Sequence, residues 1–242
     1  MEFAGVSPKR LVSAGVVVAC AVGLSGCFDL AQKVAIGRDG SGGYQIAVVA
    51  DGLIGEGLSR DHGHGHIHFG EDMPMHRAMT HEGDKTVETI GTAFHDFSDL
   101  KLDDETLSLH VKGSKLLGLM GTQVNFHRSI DIDHARHLND DDGDGDHLGH
   151  EVLTSIFGDH TYTYSVWLPG TIDHITPVSI DGHLIQPQVT DAGDGHWITW
   201  KMKFTDLLTA RNLAFDVDFT SRGNFHDTQS QAGDHHHHHD DT

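Results

Sequence analysis

An alternation of apolar and polar residues dominates this chain, and a period of two is typical of β-strands with one buried face. The alternation is clearest in residues 161–168, where Tyr162, Tyr164, Val166 and Leu168 share one side of the strand. Strands are predicted at 33–36, 44–49, 86–94, 107–111, 123–132, 161–168, 171–175, 184–189, 196–204 and 212–219. Strands that follow one another in sequence usually lie side by side, so we expect mostly antiparallel sheets.

The predicted fold class is α+β: a predominantly antiparallel β-sheet with two or three short helices. The helices are expected at 53–59, 151–157 and 205–210. Two polar segments interrupt the strand pattern and are predicted as insertions, 61–85 as an exposed loop and 133–151 as a second polar stretch. Residues 221–242 are polar apart from Phe225, and we predict that they form a disordered tail.

The first 26 residues have the features of a secretory signal. Lys9 and Arg10 precede an apolar run over 11–23, which is too short to span about 30 Å of hydrocarbon. The run ends in Leu24-Ser25-Gly26-Cys27, and this ending resembles the signal of bacterial lipoproteins. The resemblance implies cleavage before Cys27, lipid chains on its sulfur and amine, and a mature domain over 27–220 that is tied to a membrane.

Phe28, and not an aspartate, follows the lipidated cysteine. In lipoproteins of this kind the residue after the cysteine directs sorting. The resemblance therefore implies a location in the cell envelope, with the outer membrane facing the periplasm favoured over the inner membrane.

The composition of the predicted mature chain favours binding of cations. The full chain has a net charge of −20 and 23 histidines, and removal of the signal leaves 14 Lys and Arg against 35 Asp and Glu. Such a surface repels nucleic acid and anionic headgroups. Cys20 would leave with the signal and Cys27 would carry lipid, so metal ligands would have to be imidazole and carboxylate.

Four alternating histidines form the first candidate metal site. His62, His64, His66 and His68 alternate with other residues, so in an extended chain their imidazoles share one face. We expect such a face to bind Zn²⁺ first, with Ni²⁺ or Cu²⁺ as alternatives. A polar loop in which histidines cluster by chance is the other interpretation.

The second insertion contains a calcium-loop pattern. Asp140, Asp142 and Asp144 precede a glycine, and Glu151 follows at the spacing of a bidentate twelfth ligand for Ca²⁺. His147 stands where such loops usually carry an aliphatic residue. A transition-metal site that uses His147 and His150, three residues apart, with the earlier pair His134 and His137 is a second interpretation. A solvated acidic loop is a third.

The run His235–His239, flanked by Asp234, Asp240 and Asp241, closes the chain. It is either natural or a purification tag, and we favour a natural tail because the mixture of acids and histidines repeats that of the insertions. Such a tail would take up metal loosely.

Three motifs resemble an LppM-type domain of bacterial lipoproteins. They are the turn-rich hairpin Asp39–Gly42 after Cys27, the strand and Pro-Gly corner Tyr164–Ile172, and the strand Gly195–Trp200. The likeness covers residues 27–60 and 86–220, and the insertions and the tail depart from it. It implies an α+β domain that contacts lipid or another amphiphile, and an aromatic-lined groove near Pro169 would suit an acyl chain.

Catalysis has little support in the sequence, because nucleophile-elbow, zinc-protease and phosphate-loop motifs are all missing. We therefore predict a non-enzymatic, membrane-anchored lipoprotein that sequesters divalent metal ions, Zn²⁺ first. The alternative is a lipid-binding or structural envelope module, with lipid or an envelope protein as partner, whose acidic loops only keep it in solution.

Overall fold

The computed structural model of the protein describes residues 28–51, 74–83, 85–102, 105–114, 121–132 and 160–232. These residues form two large sheets. The seven-stranded sheet has the order β12-β13-β8-β1-β2-β4-β3. Its strands are β1 Phe28–Ile36, β2 Gly42–Asp51, β3 His76–Glu82, β4 Lys85–Phe94, β8 Thr161–Pro169, β12 Gln188–Ala192 and β13 Gly195–Lys203.

The five-stranded sheet has the order β15-β6-β7-β14-β9. Its strands are β6 Glu105–Ser114, β7 Thr122–Asp131, β9 Thr171–Thr176, β14 Asn212–Ser221 and β15 Thr228–Gln229. Two small ribbons pair β10 Val178–Ile180 with β11 His183–Ile185, and β5 Lys101–Leu102 with β16 Gln231–Ala232. A 3-10 turn covers Phe97–Asp99, and a single α-helix in the described residues, α1, covers Phe204–Thr209.

The structure confirms the prediction of a β-rich, largely antiparallel fold. The exceptions are β1 with β8 and β5 with β16, which pair in parallel. A parallel pair needs a crossover connection, and six other strands of the described residues come between β1 and β8 in the sequence. Of the predicted helices, α1 is present, whereas 53–59 and 151–157 lie outside the described residues. No helix in the described part of the chain is long and apolar enough to cross a membrane.

The hydrophobic core lies between the two sheets. The predicted alternation in β8 is confirmed, because Tyr162, Tyr164, Val166 and Leu168 are all buried. From the facing sheet, Phe215 of β14 packs on Tyr164 with ring centroids 4.6 Å apart. The inner faces of both sheets therefore form one apolar layer, as in a β-sandwich.

Two predicted boundaries are wrong. The segment 61–85 was expected to be a loop, but His76–Glu82 forms edge strand β3, where Arg77 pairs with the buried Glu88 of β4. All side chains of β3 are exposed, so no alternation marks it. The tail was expected to be disordered from residue 221, but β15 and β16 belong to the folded domain. These strands are held by main-chain hydrogen bonds. Because each has only two residues, the sequence shows no alternation of apolar and polar positions that would predict them.

The predicted strand at 184–189 is also corrected, because it is two strands, β11 and β12. Gln186 and Pro187 separate them. Proline has no N–H to donate to a sheet, so it ends the first strand.

Several of the described segments begin or end at the same end of the sandwich. In the seven-stranded sheet Phe28 pairs with Ala50, and Asp29 pairs with Thr161, so β1 and β8 start and β2 ends at the same level. In the other sheet Asn212 pairs with Asp131. We call this the insertion end and define it by Phe28, Asp51, Asp131, Thr161 and Asn212.

The opposite end contains tight turns of the described residues, and we call it the turn end. Gly170 follows β8 there with φ +94°, and a Cβ at this position would collide with the backbone oxygen of Thr220. Gly121 with φ +98° packs against Ser221 in the same way. Close backbone approach therefore joins the two sheets at the turn end.

We expect Gly170→Ala to destabilise the protein more than Gly182→Ala. Both glycines have positive φ, so either change costs about 1–2 kcal/mol in backbone strain. Only Gly170 is crowded, which adds roughly 1–3 kcal/mol of overpacking. Urea denaturation of both variants measures the difference, and equal losses of unfolding free energy would contradict the close contact.

Candidate functional site

The insertion end is the candidate functional site, because His- and Asp-rich segments border the described residues there. The stretch 133–159 lies between Ile132 and His160, and both of these bordering residues lie at this end. The backbone N–H of Ile132 donates to the oxygen of Arg211 at 2.9 Å, and that of Phe204 donates to the oxygen of His160 at 2.8 Å. These bonds tie the start of α1 and the start of β14 to the same place.

The two other candidate segments also begin close to this end. The stretch 52–73 follows Asp51, which pairs with Lys85 at the start of β4. It returns at Pro74, whose carbonyl accepts a hydrogen bond from Thr92 nearer to the turn end. The stretch 233–242 follows Ala232, which pairs with Leu102 just before β6 starts.

The predicted site residues all lie outside the described residues. These are the lipid site Cys27 and the metal-ligand candidates His62, His64, His66, His68, Asp140, Asp142, Asp144, His147, His150 and Glu151. Their assignment stays a prediction. Within the described residues, no group of three or more His, Cys, Asp or Glu side chains is placed to hold a metal ion.

A buried arginine in β7 organises the interior near the insertion end. The side chain of Arg128 is completely buried, and that of Glu105, at the start of β6, is 15% exposed. An Arg128 Nη2 atom lies 2.9 Å from Glu105 Oε1, and its Nε donates to Oε2 at 3.2 Å. The guanidinium is therefore bidentate toward a carboxylate of its own sheet.

The same guanidinium also reaches across to the seven-stranded sheet. It donates to the hydroxyl of Tyr162 at 2.8 Å and to the side-chain oxygen of Gln32. Gln32 in turn donates to Glu105 at 2.9 Å, and its oxygen accepts a hydrogen bond from Tyr162. Tyr44 donates to Glu105 at 3.2 Å. Strands β1, β2 and β8 are thus joined to β6 and β7 by one buried network.

Electrostatics keep this network in one protonation state. Burial alone would lower the pKa of Arg128, but Glu105 opposite it holds that pKa above its ordinary value. Burial raises the pKa of Tyr162 to about 12 and that of Tyr164 well above its ordinary value. The guanidinium also lies 4.0 Å from the ring centroid of Tyr164. The network therefore contains a permanent cation and neutral phenols, which favours a structural role.

Trp200 does not contribute to the aromatic-lined groove that was expected near Pro169. Trp200 is completely buried and lies 5.1 Å from Phe215, between centroids, in the core of the sandwich. Trp167 is half-buried, donates to the oxygen of Ala192 at 3.2 Å and packs on Gly195. The side chain of Trp200 therefore fills the interior and cannot line an open groove.

Four histidines of the described residues are paired with aspartates. His127 lies 2.8 Å from Asp216, on the outer face of the five-stranded sheet. The other pairs are His110 with Asp227 at 3.2 Å, His196 with Asp191 at 2.9 Å and His226 with Asp96 at 2.6 Å. Each pair occupies one ring nitrogen, so these histidines are polar surface positions beside a carboxylate.

A small polar depression of about 210 Å³ lies beside one of these pairs. Asp218 in its wall accepts hydrogen bonds from Lys112 at 2.7 Å and from Asn125 at 2.8 Å. Burial would raise the pKa of Asp218, but these donors lower it below the ordinary value. The carboxylate is already satisfied by protein donors, so this depression is a weaker candidate for a ligand site than the insertion end.

Comparisons with known proteins give one weak likeness. The fold resembles the NMR structure of the folded domain of the Mycobacterium tuberculosis LppM protein, with 13% sequence identity over 81% of this chain and 91% of that chain and a TM-score of 0.43. The resemblance expected from the motifs is thus found, but it is too distant to assign a function. No protein-family model and no curated protein matches the chain.

We expect Arg128→Met and Glu105→Leu each to destabilise the protein strongly. Each change leaves one buried charge without its partner, which costs about 3–5 kcal/mol. The double variant removes both charges and should lose clearly less than the sum, with a coupling free energy of about 2 kcal/mol or more. Chemical denaturation of the four proteins gives this value. Additive losses would show that the two side chains are not energetically coupled.

The side chain of Asp96 is expected to stabilise the folded protein in a pH-dependent way. It caps the 3-10 turn through the N–H of Ser98 at 2.8 Å and accepts hydrogen bonds from His226 and Thr228, beside β15. Partial burial would raise its pKa, but these donors outweigh burial and lower the pKa to about 2. The stabilisation is therefore complete above pH 3.8, the ordinary pKa, and is lost as the pH falls toward 2.

Asp96→Asn keeps the capping side chain and removes the charge. We expect the variant to lose less unfolding free energy than the wild type between pH 4 and pH 2, roughly the window between the two pKa values. Urea titrations across this window test the expectation, with the exposed Asp181→Asn as the control. Parallel pH curves for wild type and Asp96→Asn would refute it.

Proposed function

We propose that the protein is a lipid-anchored envelope protein that sequesters divalent cations, Zn²⁺ first, at the insertion end of its sandwich. The observation that carries this proposal is the convergence at that end. His160 precedes Thr161, which pairs with Asp29 next to Phe28, the residue after the lipid-carrying Cys27. Ile132 ends the described part of β7 at the same end and donates its N–H to Arg211. The first insertion and the tail also leave the described fold close to this place.

The chemistry of the three segments supports cation binding. They contain the His62–His68 cluster, the Asp140–Glu151 pattern and the His235–His239 run. Imidazole and carboxylate suit Zn²⁺, Ni²⁺ and Cu²⁺, whereas the all-oxygen alternative at 140–151 suits Ca²⁺. A protein with a charge of −20 would concentrate such cations electrostatically.

A binding role fits the rest of the molecule. The buried Arg128 network is complete within the protein, and its cation has no exposed face for a substrate. We therefore propose sequestration or buffering, without catalysis, in the outer membrane facing the periplasm. Nucleic acid is not a proposed partner, because the protein carries a large negative charge.

Calorimetric titration of the soluble form 28–242 with Zn²⁺ tests the proposal. We expect a dissociation constant tighter than about 100 µM, which corresponds to roughly −5.5 kcal/mol. Replacement of His62, His64, His66 and His68 by Asn should weaken binding at least about tenfold, because each imidazole supplies a ligand.

The matched control replaces the same number of histidines elsewhere, at His110, His127, His196 and His226. These histidines are paired with aspartates in the folded domain, so their replacement should leave Zn²⁺ binding unchanged. Binding weaker than the stated limit, or an equal loss in both variants, would refute sequestration by the first insertion.

A further inference from the structure

The domain has no linker between the proposed lipid and its first strand. β1 begins at Phe28, one residue after Cys27, and adjacent Cα atoms are about 3.8 Å apart. Phe28 is also held in the sheet by pairing with Ala50 of β2. If Cys27 carries acyl chains, as in the proposed function, the level at which β1 starts is therefore fixed within a few ångströms of the headgroups.

The side chains around this level have the character of a membrane-contacting surface. Leu184 is 63% exposed, the most exposed of the large apolar side chains in the described residues. It lies in β11 and pairs with Ser179 of β10. β10 follows β9, whose last residue Thr176 pairs with Asp216 of β14, and β10 contacts α1 and β14. Lys203 ends β13 opposite Thr161, and Arg211 precedes β14, and both are exposed.

Acidic residues lie at the same end, so its charge alone does not favour contact with a membrane. Asp131 pairs with Asn212, the residue after Arg211, and Asp206 lies in the first turn of α1, which begins after Lys203. The attachment energy would come from two or three acyl chains, which suffice for stable membrane residence. Protein side chains then need only set the orientation, and a single apolar side chain with two neighbouring cations is suited to do so.

We propose that the insertion end is a membrane-docking surface, held directly against the phospholipid headgroups, with Leu184 in the interfacial layer and Lys203 and Arg211 beside lipid phosphates. The inference rests on the lipid anchor of the proposed function. The turn end then faces away from the bilayer.

Two reporter positions at the opposite ends of β14 test this orientation. Asn212 is its exposed first residue, and Thr171 is exposed and pairs with Thr220 near its last residue. Eight residues of strand separate these levels, about 27 Å. The mature chain has no other free thiol when Cys27 is lipidated, so Asn212→Cys or Thr171→Cys can be labelled singly with a fluorophore.

The measurement uses the full lipidated protein in phosphatidylcholine vesicles that contain headgroup-linked quencher. We expect the label at 212 to be quenched about threefold or more above the label at 171, because the two labels differ in height by about 27 Å. Leu184→Ser with Lys203→Glu should reduce the quenching at 212 by at least about half, since both proposed contacts are lost. Equal quenching at both positions, or no effect of the double change, would overturn the docking surface.

Flotation of the same vesicles separates this inference from the proposed function. Loss of the protein from the vesicle fraction would refute the lipid anchor. Co-flotation with equal quenching would refute only the docking surface and leave the anchor and the Zn²⁺ titration standing.

Discussion

The buried guanidinium of Arg128 is the constraint on which the rest of this sandwich depends. A fully buried cation is costly unless charge and hydrogen bonds compensate it. Here the compensation comes from both sheets: Glu105 from one, and Tyr162 and Gln32 from the other. A slip of one residue in any of these strands would turn a partner outward and leave the charge unpaired. The network therefore selects one register between sheets that otherwise meet through interchangeable apolar contacts.

That selection also fixes the strand ends at the insertion end. Gln32, Tyr162, Arg128 and Glu105 are all within a few residues of the insertion end. The network thus holds together the starts of β1, β6 and β8 and the end of β7. Of these, the end of β7 and the start of β8 border the second His- and Asp-rich segment. A rigid end of this kind would hold the attachment points of the proposed metal ligands at a fixed position.

The sequence was sufficient to predict many of the strands, but not the buried polar network that fixes how the two sheets pack. Alternation located the long strands, and in β7 it placed Arg128 on the same side as Val124 and Phe126, which are buried. An arginine on an apolar face is a signal of a buried ion pair. Its partners could not be predicted, because Gln32 lies 96 residues away and polar residues such as Glu105 are common in the chain. Strand β3, exposed on both faces, and the two-residue strands β15 and β16 carry no period to detect. The predicted metal ligands lie outside the described residues, so they remain predictions from spacing alone.

Paramagnetic broadening in NMR spectra tests most directly whether a divalent metal ion binds at the insertion end, as we propose. Cu²⁺ would be added in substoichiometric amounts to the soluble form 28–242, and amide intensities would be followed along the chain. The account predicts that the amides of Asp29, Thr161 and Asn212 lose intensity first, while those of Gly121 and Gly170 at the turn end keep theirs. Broadening centred on the outer face around His127, or uniform across both ends, would contradict it.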